Sequence, residues 1–210
     1  MTPPRLHRDL HEVELKQARL EEPHIEPLTR YVEALRREKP ETAIPYFDPA
    51  EAGVTASILL LLEAPGRRAA LERGSNFVSP DNNDQTAANM WQFLQDAGIE
   101  RSKDIVTWNV VPWYIGDGTK IRAARSSDLQ DGRDAVERLL DLLPKLKVVV
   151  LLGRKAQASW KRLHVKATVP TIECPHPSPL VININPEARG QILEALLDAK
   201  RTTLKRAGDR

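Results

Sequence analysis

Four short stretches rich in aliphatic and β-branched residues recur along this chain, and their spacing constrains its fold more than any other feature. They read "SILLLLEA" (57–64), "DIVTWNVV" (104–111), "LKVVVLLG" (146–153) and "TVPTIEC" (168–174). The unbroken apolar runs at 57–64 and 146–153 are signatures of buried strands, and the β-branched 104–111 and 168–174 read as two further strands. Between and after them lie segments with helical spacing, at 85–98, 128–145, 154–163 and 185–206. Gly98 sits where the first of these would need a left-handed residue to end. Strands alternating with helices imply a parallel sheet covered on both sides. The expected fold is therefore an α/β protein, a three-layer α/β/α sandwich around a short, mostly parallel four-stranded sheet. Residues 1–52 show helical periodicity broken by five prolines, from Pro23 to Pro49. They are expected to form an N-terminal helical extension preceding one domain over 53–210.

In such sheets ligands bind beyond the carboxyl ends of the strands. The four ends here read "EAPGRR" (63–68), "WNVVPWYIGDG" (108–118), "LLGRKA" (151–156) and "CPHPSPL" (174–180). Glycine, proline and polar side chains crowd each of them, and all would converge on one edge. Prolines in the last segment stop a strand abruptly and leave His176 at the stop. Composition narrows the chemistry. A single cysteine, Cys174, rules out a disulfide framework or a cysteine-built zinc or iron–sulfur site within one chain. His7, His11, His24 and His164 lack metal-ligand spacing, so neither metal nor cofactor is expected. No run of about 18 apolar residues suggests a membrane span, and the charged N-terminus has no secretory h-region. A cytoplasmic monomer is expected. The net charge of +2 permits nucleic-acid binding without demanding it, and the basic clusters at 120–127 and 200–206 are local.

The strand ends "EAPG", "NVV" and "HPSPL" resemble the motifs of the uracil-DNA glycosylase superfamily, and "GSNFVSPDNNDQTAANMWQFLQDAGI" (74–99) is similar to the segment between its first two motifs. The resemblance spans roughly residues 57–200. It implies that Asn109 reads the Watson–Crick edge of the base, that Phe77 stacks on it, and that His176 hydrogen-bonds its O2. It further implies that Glu63, Ala64 and Gly66 line the base pocket and the water site. Ser178 would clamp a DNA phosphate, and Leu180 would be the wedge that fills the emptied stack. Three positions depart from the pattern. Leu62 stands where glycine is usual, Ala64 where the best-known members carry a water-activating aspartate, and Trp113 where related enzymes carry a cluster cysteine.

The chemistry suits these residue types. A base inside a duplex must be extruded before it can be attacked, at a cost of a few kcal/mol that stacking and an apolar wedge offset. A carboxamide offers one donor and one acceptor, matching uracil and mismatching cytosine. Cleavage of the glycosidic bond leaves the base as an anion, which a fixed donor stabilises. Glu63, Asp81 or Asp84 would replace the missing aspartate near the water, or the backbone alone orients it. Arg67, Gly153 and Arg154 at neighbouring strand ends are candidates for DNA contact, the last two through amides at a helix start. The expected function is hydrolysis of the N-glycosidic bond of uracil in DNA. Three alternatives stay open: a glycosylase of the same fold for another deaminated base such as hypoxanthine or xanthine, a non-catalytic DNA-binding module, and a flavodoxin-like mononucleotide binder.

Overall fold

The computed structural model describes residues 4–71, 74–117, 121–161 and 169–208. Lys120 and His164, with the end of the 154–163 helix and the start of the 168–174 strand, lie outside them. The central sheet holds β2 (Ile58–Leu62), β4 (Ile105–Asn109), β5 (Val148–Leu152) and β6 (Thr171–Cys174) in the order β4-β2-β5-β6. Every neighbouring pair in it is parallel, with Leu62 opposite Asn109 and Leu152 opposite Cys174. The strands therefore end level, and their tips form one edge.

Each strand sends alternate residues to opposite faces. Leu59, Leu61, Val106, Trp108, Val149 and Leu151 pack against α2 (Glu26–Glu38), α6 (Ser126–Asp141) and α7 (Arg154–Trp160). Ile58, Leu60, Ile105, Val148 and Val150 pack against α4 (Gln85–Asp96) and α9 (Ala188–Gly208). Both faces of β2, β4 and β5 are covered, which is why these three carry few polar residues, whereas the edge strand β6 exposes Thr171 and Glu173. α4 stops where expected, with Gly98 at φ +62° just past its end. No described helix is long and apolar enough to cross a membrane.

Residues 4–52 share this core. Ile25, Leu28, Val32 and Leu35 of α2 and its lead-in are buried among the sheet residues. The Tyr31 hydroxyl donates to the Ala135 carbonyl of α6 at 2.7 Å, and Phe47 stacks on Trp108 with centroids 3.7 Å apart. Burying four such aliphatic side chains contributes roughly 6–12 kcal/mol before entropy is counted, comparable to the whole net stability of a domain. A second, two-stranded parallel ribbon joins β1 (Tyr46–Phe47) to β3 (Phe77–Val78).

Beneath that ribbon lies a buried ionic cluster. Lys16 Nζ, on α1 (Leu10–Gln17), sits 2.7 Å from both Asp48 Oδ2 and Asp81 Oδ2. Arg101, on the short α5 (Arg101–Asp104), reaches the same carboxylates at 2.7 and 2.9 Å. Burial alone would raise the Asp48 pKa, but the two cations outweigh it and hold the carboxyl below the usual range. Nearby Glu51 forms no ion pair among the described residues, and the Arg101 charge opposes its shift only in part. Burial and the Asp48 charge push its pKa up to about 8, although it accepts bonds from the Thr107 backbone N–H and hydroxyl.

Candidate active site

A cleft of about 1130 Å³ opens across the carboxyl tips of β2, β4, β5 and β6. Of the residues singled out from the sequence, Glu63, Ala64, Gly66, Arg67, Asn109, Gly153, Arg154, His176, Ser178 and Leu180 all line it. Phe77 does not. It is fully buried in β3, its ring 5.9 Å from the His7 ring, while the adjacent Val78 and Ser79 face the cleft.

Asn109 is the last residue of β4 and is only 2% exposed. Its Nδ2 has no hydrogen-bond partner among the described residues. Leaving a buried amide donor unpaired costs about 1–3 kcal/mol, so this donor is available at the floor of the cleft. Thr107 lies on the same face of the strand two residues earlier, fixed from behind by Glu51.

His176 stands in a turn stiffened by Pro175, Pro177 and Pro179. Its Nδ1 accepts from the Ser178 backbone N–H at 3.2 Å, which leaves the ring proton on Nε2. Burial pulls its pKa down to about 4, so near neutral pH it is an uncharged donor. Gly153 permits the close approach of β5 to this turn. It has φ +95°, and a Cβ there would lie 2.9 Å from His176 Cβ. Its N–H donates to the Cys174 carbonyl at 2.9 Å. From α4, beside this turn, the buried Asn89 donates to the Pro177 carbonyl at 2.9 Å. Sequence reasoning passed over Asn89. The available signal was an amide on the face of α4 that otherwise carries Met90, Phe93 and Leu94 into the core.

Ser178 Oγ accepts from the Val181 N–H at the start of α8 (Pro179–Ile184). Leu180, in the first turn of that helix, is 69% exposed at the cleft mouth. Glu63 Oε1 accepts from the Ala124 N–H at 2.7 Å, and Lys155 Nζ donates to the Ala124 carbonyl at 3.3 Å. The two side chains together hold the 121–125 segment as a side wall. A Cβ on Gly66, which precedes α3 (Arg67–Ala70), would meet nothing within 4 Å, so the first strand end opens onto free space.

Three acidic groups were candidates for orienting a water. Asp81 has both oxygens taken by Lys16 and Arg101 below the floor. Asp84 lines the cleft, caps α4 by accepting from the Ala87 N–H, and has a pKa raised by burial. Glu63 lines it with one oxygen committed. Elsewhere, atoms of His7, Asp48 and Asp81 lie within 4.8 Å of one another. Lys16 and Arg101 already supply the positive charge there, and His7 Nδ1 is engaged with Asn82 Oδ1 at 2.9 Å.

The profile of the Uracil DNA glycosylase superfamily matches residues 49–197, about seven-tenths of the chain. The protein belongs to this superfamily. The superfamily match takes in all four strand tips and begins after α2, leaving the first 48 residues outside it. No curated protein sequence matches the chain significantly. Among solved structures it is similar to wild-type UNG from Nitratifractor salsuginis, at 15% identity over 93% of this chain and 98% of that one, with a TM-score of 0.45. A mimivirus UNG variant in complex with UGI shows 13% identity over 86% of this chain and 72% of that one, with a TM-score of 0.40.

Proposed function

We propose that the protein is a monofunctional DNA glycosylase that hydrolyses the N-glycosidic bond of deoxyuridine in DNA, releasing uracil and leaving an abasic site. It would act as a cytoplasmic monomer, without metal or organic cofactor. The observation that carries this reading is the meeting, in one cleft, of an unpartnered buried carboxamide and a neutral histidine with its proton on Nε2. The superfamily match supports the glycosylase class, and the geometry of these two groups supports the base.

In this mechanism the extruded base enters between the β2 and β4 tips. Asn109 Nδ2 donates to O4, and its carbonyl oxygen accepts from N3–H, a pattern that the cytosine amine would oppose. His176 Nε2–H donates to O2. As the glycosidic bond lengthens, its electron pair moves onto the base, and the two donors stabilise the resulting anion. An uncharged imidazole does this without first transferring a proton. The sugar becomes oxocarbenium-like and is captured by water, whose proton leaves to solvent or to a nearby carboxylate. Ala64 offers no such group, while Asp84 and Glu63 remain in reach of the cleft. Leu180 holds the stack open.

The test is single-turnover base release from duplexes carrying one uracil, hypoxanthine or xanthine. Wild type is expected to release uracil, and Asn109→Ala or His176→Ala to lose about 10²–10³ in rate, the usual cost of removing one donor to a developing anion. Equal rates in all three proteins would remove this site. Faster release of hypoxanthine or xanthine would keep the site and change the base. Retention of full rate by both Glu63→Gln and Asp84→Asn would exclude side-chain general base catalysis.

A further inference from the structure

The first 48 residues lie outside the superfamily match, yet their beginning is built onto the cleft. The His7 N–H donates to the Asp81 carbonyl at 3.0 Å, and the buried His7 ring packs beside Phe77. This strap runs along the 81–85 segment, from which Asn82, Asp84 and Gln85 line the cleft. It carries two arginines to that lip. Arg5 Nη2 donates to Gln85 Oε1 at 2.5 Å, and Arg8 Nε donates to Asn83 Oδ1 at 3.1 Å.

Both partners are neutral amides. Neither arginine forms an ion pair among the described residues, so no carboxylate competes with a ligand for either guanidinium. By contrast, Arg122 and Arg138 are paired with Asp128 and Glu38. Burial raises the pKa of the neighbouring Asp84; the Ala87 and Thr86 N–H groups oppose that first, and the Arg5 and Arg68 charges add to them. Arg5 is also held at φ 63°, ψ 38°, a left-handed conformation that a non-glycine residue adopts at a cost of the order of 1 kcal/mol or more. Across the cleft, Arg154 and Lys155 open α7 on the opposite lip. The two lips are therefore both cationic, and a polyanion spanning the cleft would meet positive charge on each side.

We propose that the N-terminal strap is part of the DNA-binding surface, with Arg5 and Arg8 contacting backbone phosphates on the α4 side of the extruded nucleotide. The inference rests on the proposed function, since it takes duplex DNA as the occupant. Its signature is electrostatic. Each phosphate contact lowers the slope of log affinity against log salt by about 0.9, so two contacts account for about 1.8.

The experiment measures binding of the full chain to a fluorescent uracil-free duplex by anisotropy between low and moderate salt. Arg5→Gln/Arg8→Gln is expected to bind more weakly at low salt, with a slope shallower by up to about 1.8. Arg5→Lys/Arg8→Lys, which keeps the charge but not the fixed fork, is expected to retain the slope. If the glutamine pair leaves slope and affinity unchanged while wild type binds DNA, the strap proposal fails and the glycosylase reading stands. If the lysine pair loses as much as the glutamine pair, the arginines act by bracing the 81–85 segment and the phosphate contact is wrong. If wild type binds no duplex at any salt, both readings fall together.

Discussion

Two polar regions lie within the protein, one under the β1–β3 ribbon and one at the strand tips, and they are built in opposite ways. Under the ribbon, Lys16, Arg101, Asp48 and Asp81 match two cations to two carboxylates, and the carboxylate oxygens are occupied. At the strand tips the polar atoms outnumber their partners. Asn109 Nδ2 is orphaned, and His176 spends Nδ1 on its own loop and keeps Nε2 for the cleft. Both sets are buried, so polarity alone would not tell them apart. Access does: under the ribbon the unpartnered atoms, Arg101 Nε and His7 Nε2, belong to residues outside the cleft lining, whereas the unpartnered donor of Asn109 belongs to a cleft residue and is poised for a ligand.

The contrast is most exposed to test at Lys16. Lys16→Met leaves two carboxylates sharing one arginine and is expected to destabilise by about 3–5 kcal/mol, read by urea unfolding, with the rate per folded molecule nearly intact. Asn109→Ala should show the reverse, a rate loss of about 10²–10³ with stability equal to wild type or higher, because the removed donor had no partner to lose. A large stability loss in Asn109→Ala would erase the distinction. Gly153→Ala should cost about 1–3 kcal/mol for its left-handed backbone. It should also lower the rate, because its Cβ would press on His176; a crystal structure would show that ring displaced.

Acidity separates the regions again. His176 has its pKa pulled from 6.5 to about 4 by burial. The unfolded chain therefore binds its proton first, and stability contributed there is lost as pH falls from about 6.5 through 4. Glu51 has its pKa pushed from 4.5 to about 8. The folded chain holds that proton longer, so stability contributed there declines as pH rises from about 4.5 through 8. Melting temperature measured against pH should fall on both sides. The acid limb should weaken in His176→Ala and the alkaline limb in Glu51→Gln; an unchanged profile in either variant would contradict the assignment. The smallest effect is expected at Asn89. Asn89→Ala removes one bond to the His176 turn, worth about 1 kcal/mol, and should lower kcat several-fold with KM little changed, since in the proposed reaction it positions the group that meets the leaving anion.

Much of this was legible in the residues. β2, β4 and β5 are apolar on both faces and could hardly lie elsewhere than in a covered sheet; their tips and that of β6 carry ten of the eleven proposed site residues, and all ten line one cleft. What the sequence hid depends on partners distant along the chain. α2 has a clear apolar stripe, but nothing local says that it faces the sheet rather than solvent. β1 and β3 are two residues each, too short for alternation to register. α8 is written in a proline-rich run that reads as loop, although Ser178 caps it and Pro179 suits its first turn. Phe77 was placed by likeness to a motif. His7, which packs beside its ring, lies seventy residues earlier and could not be paired with it by reading along the chain.

The position of α2 has a practical consequence for anyone moving this protein between settings. A fragment cut to the matched span, 49–197, would leave Leu59, Leu61 and Trp108 facing water and would lack Asp48, an acceptor for Arg101. Such a piece would clump rather than repair. The smallest transplantable unit is longer at its leading end than its kinship suggests, and whatever partner or tag is fused there must leave that helix free to dock.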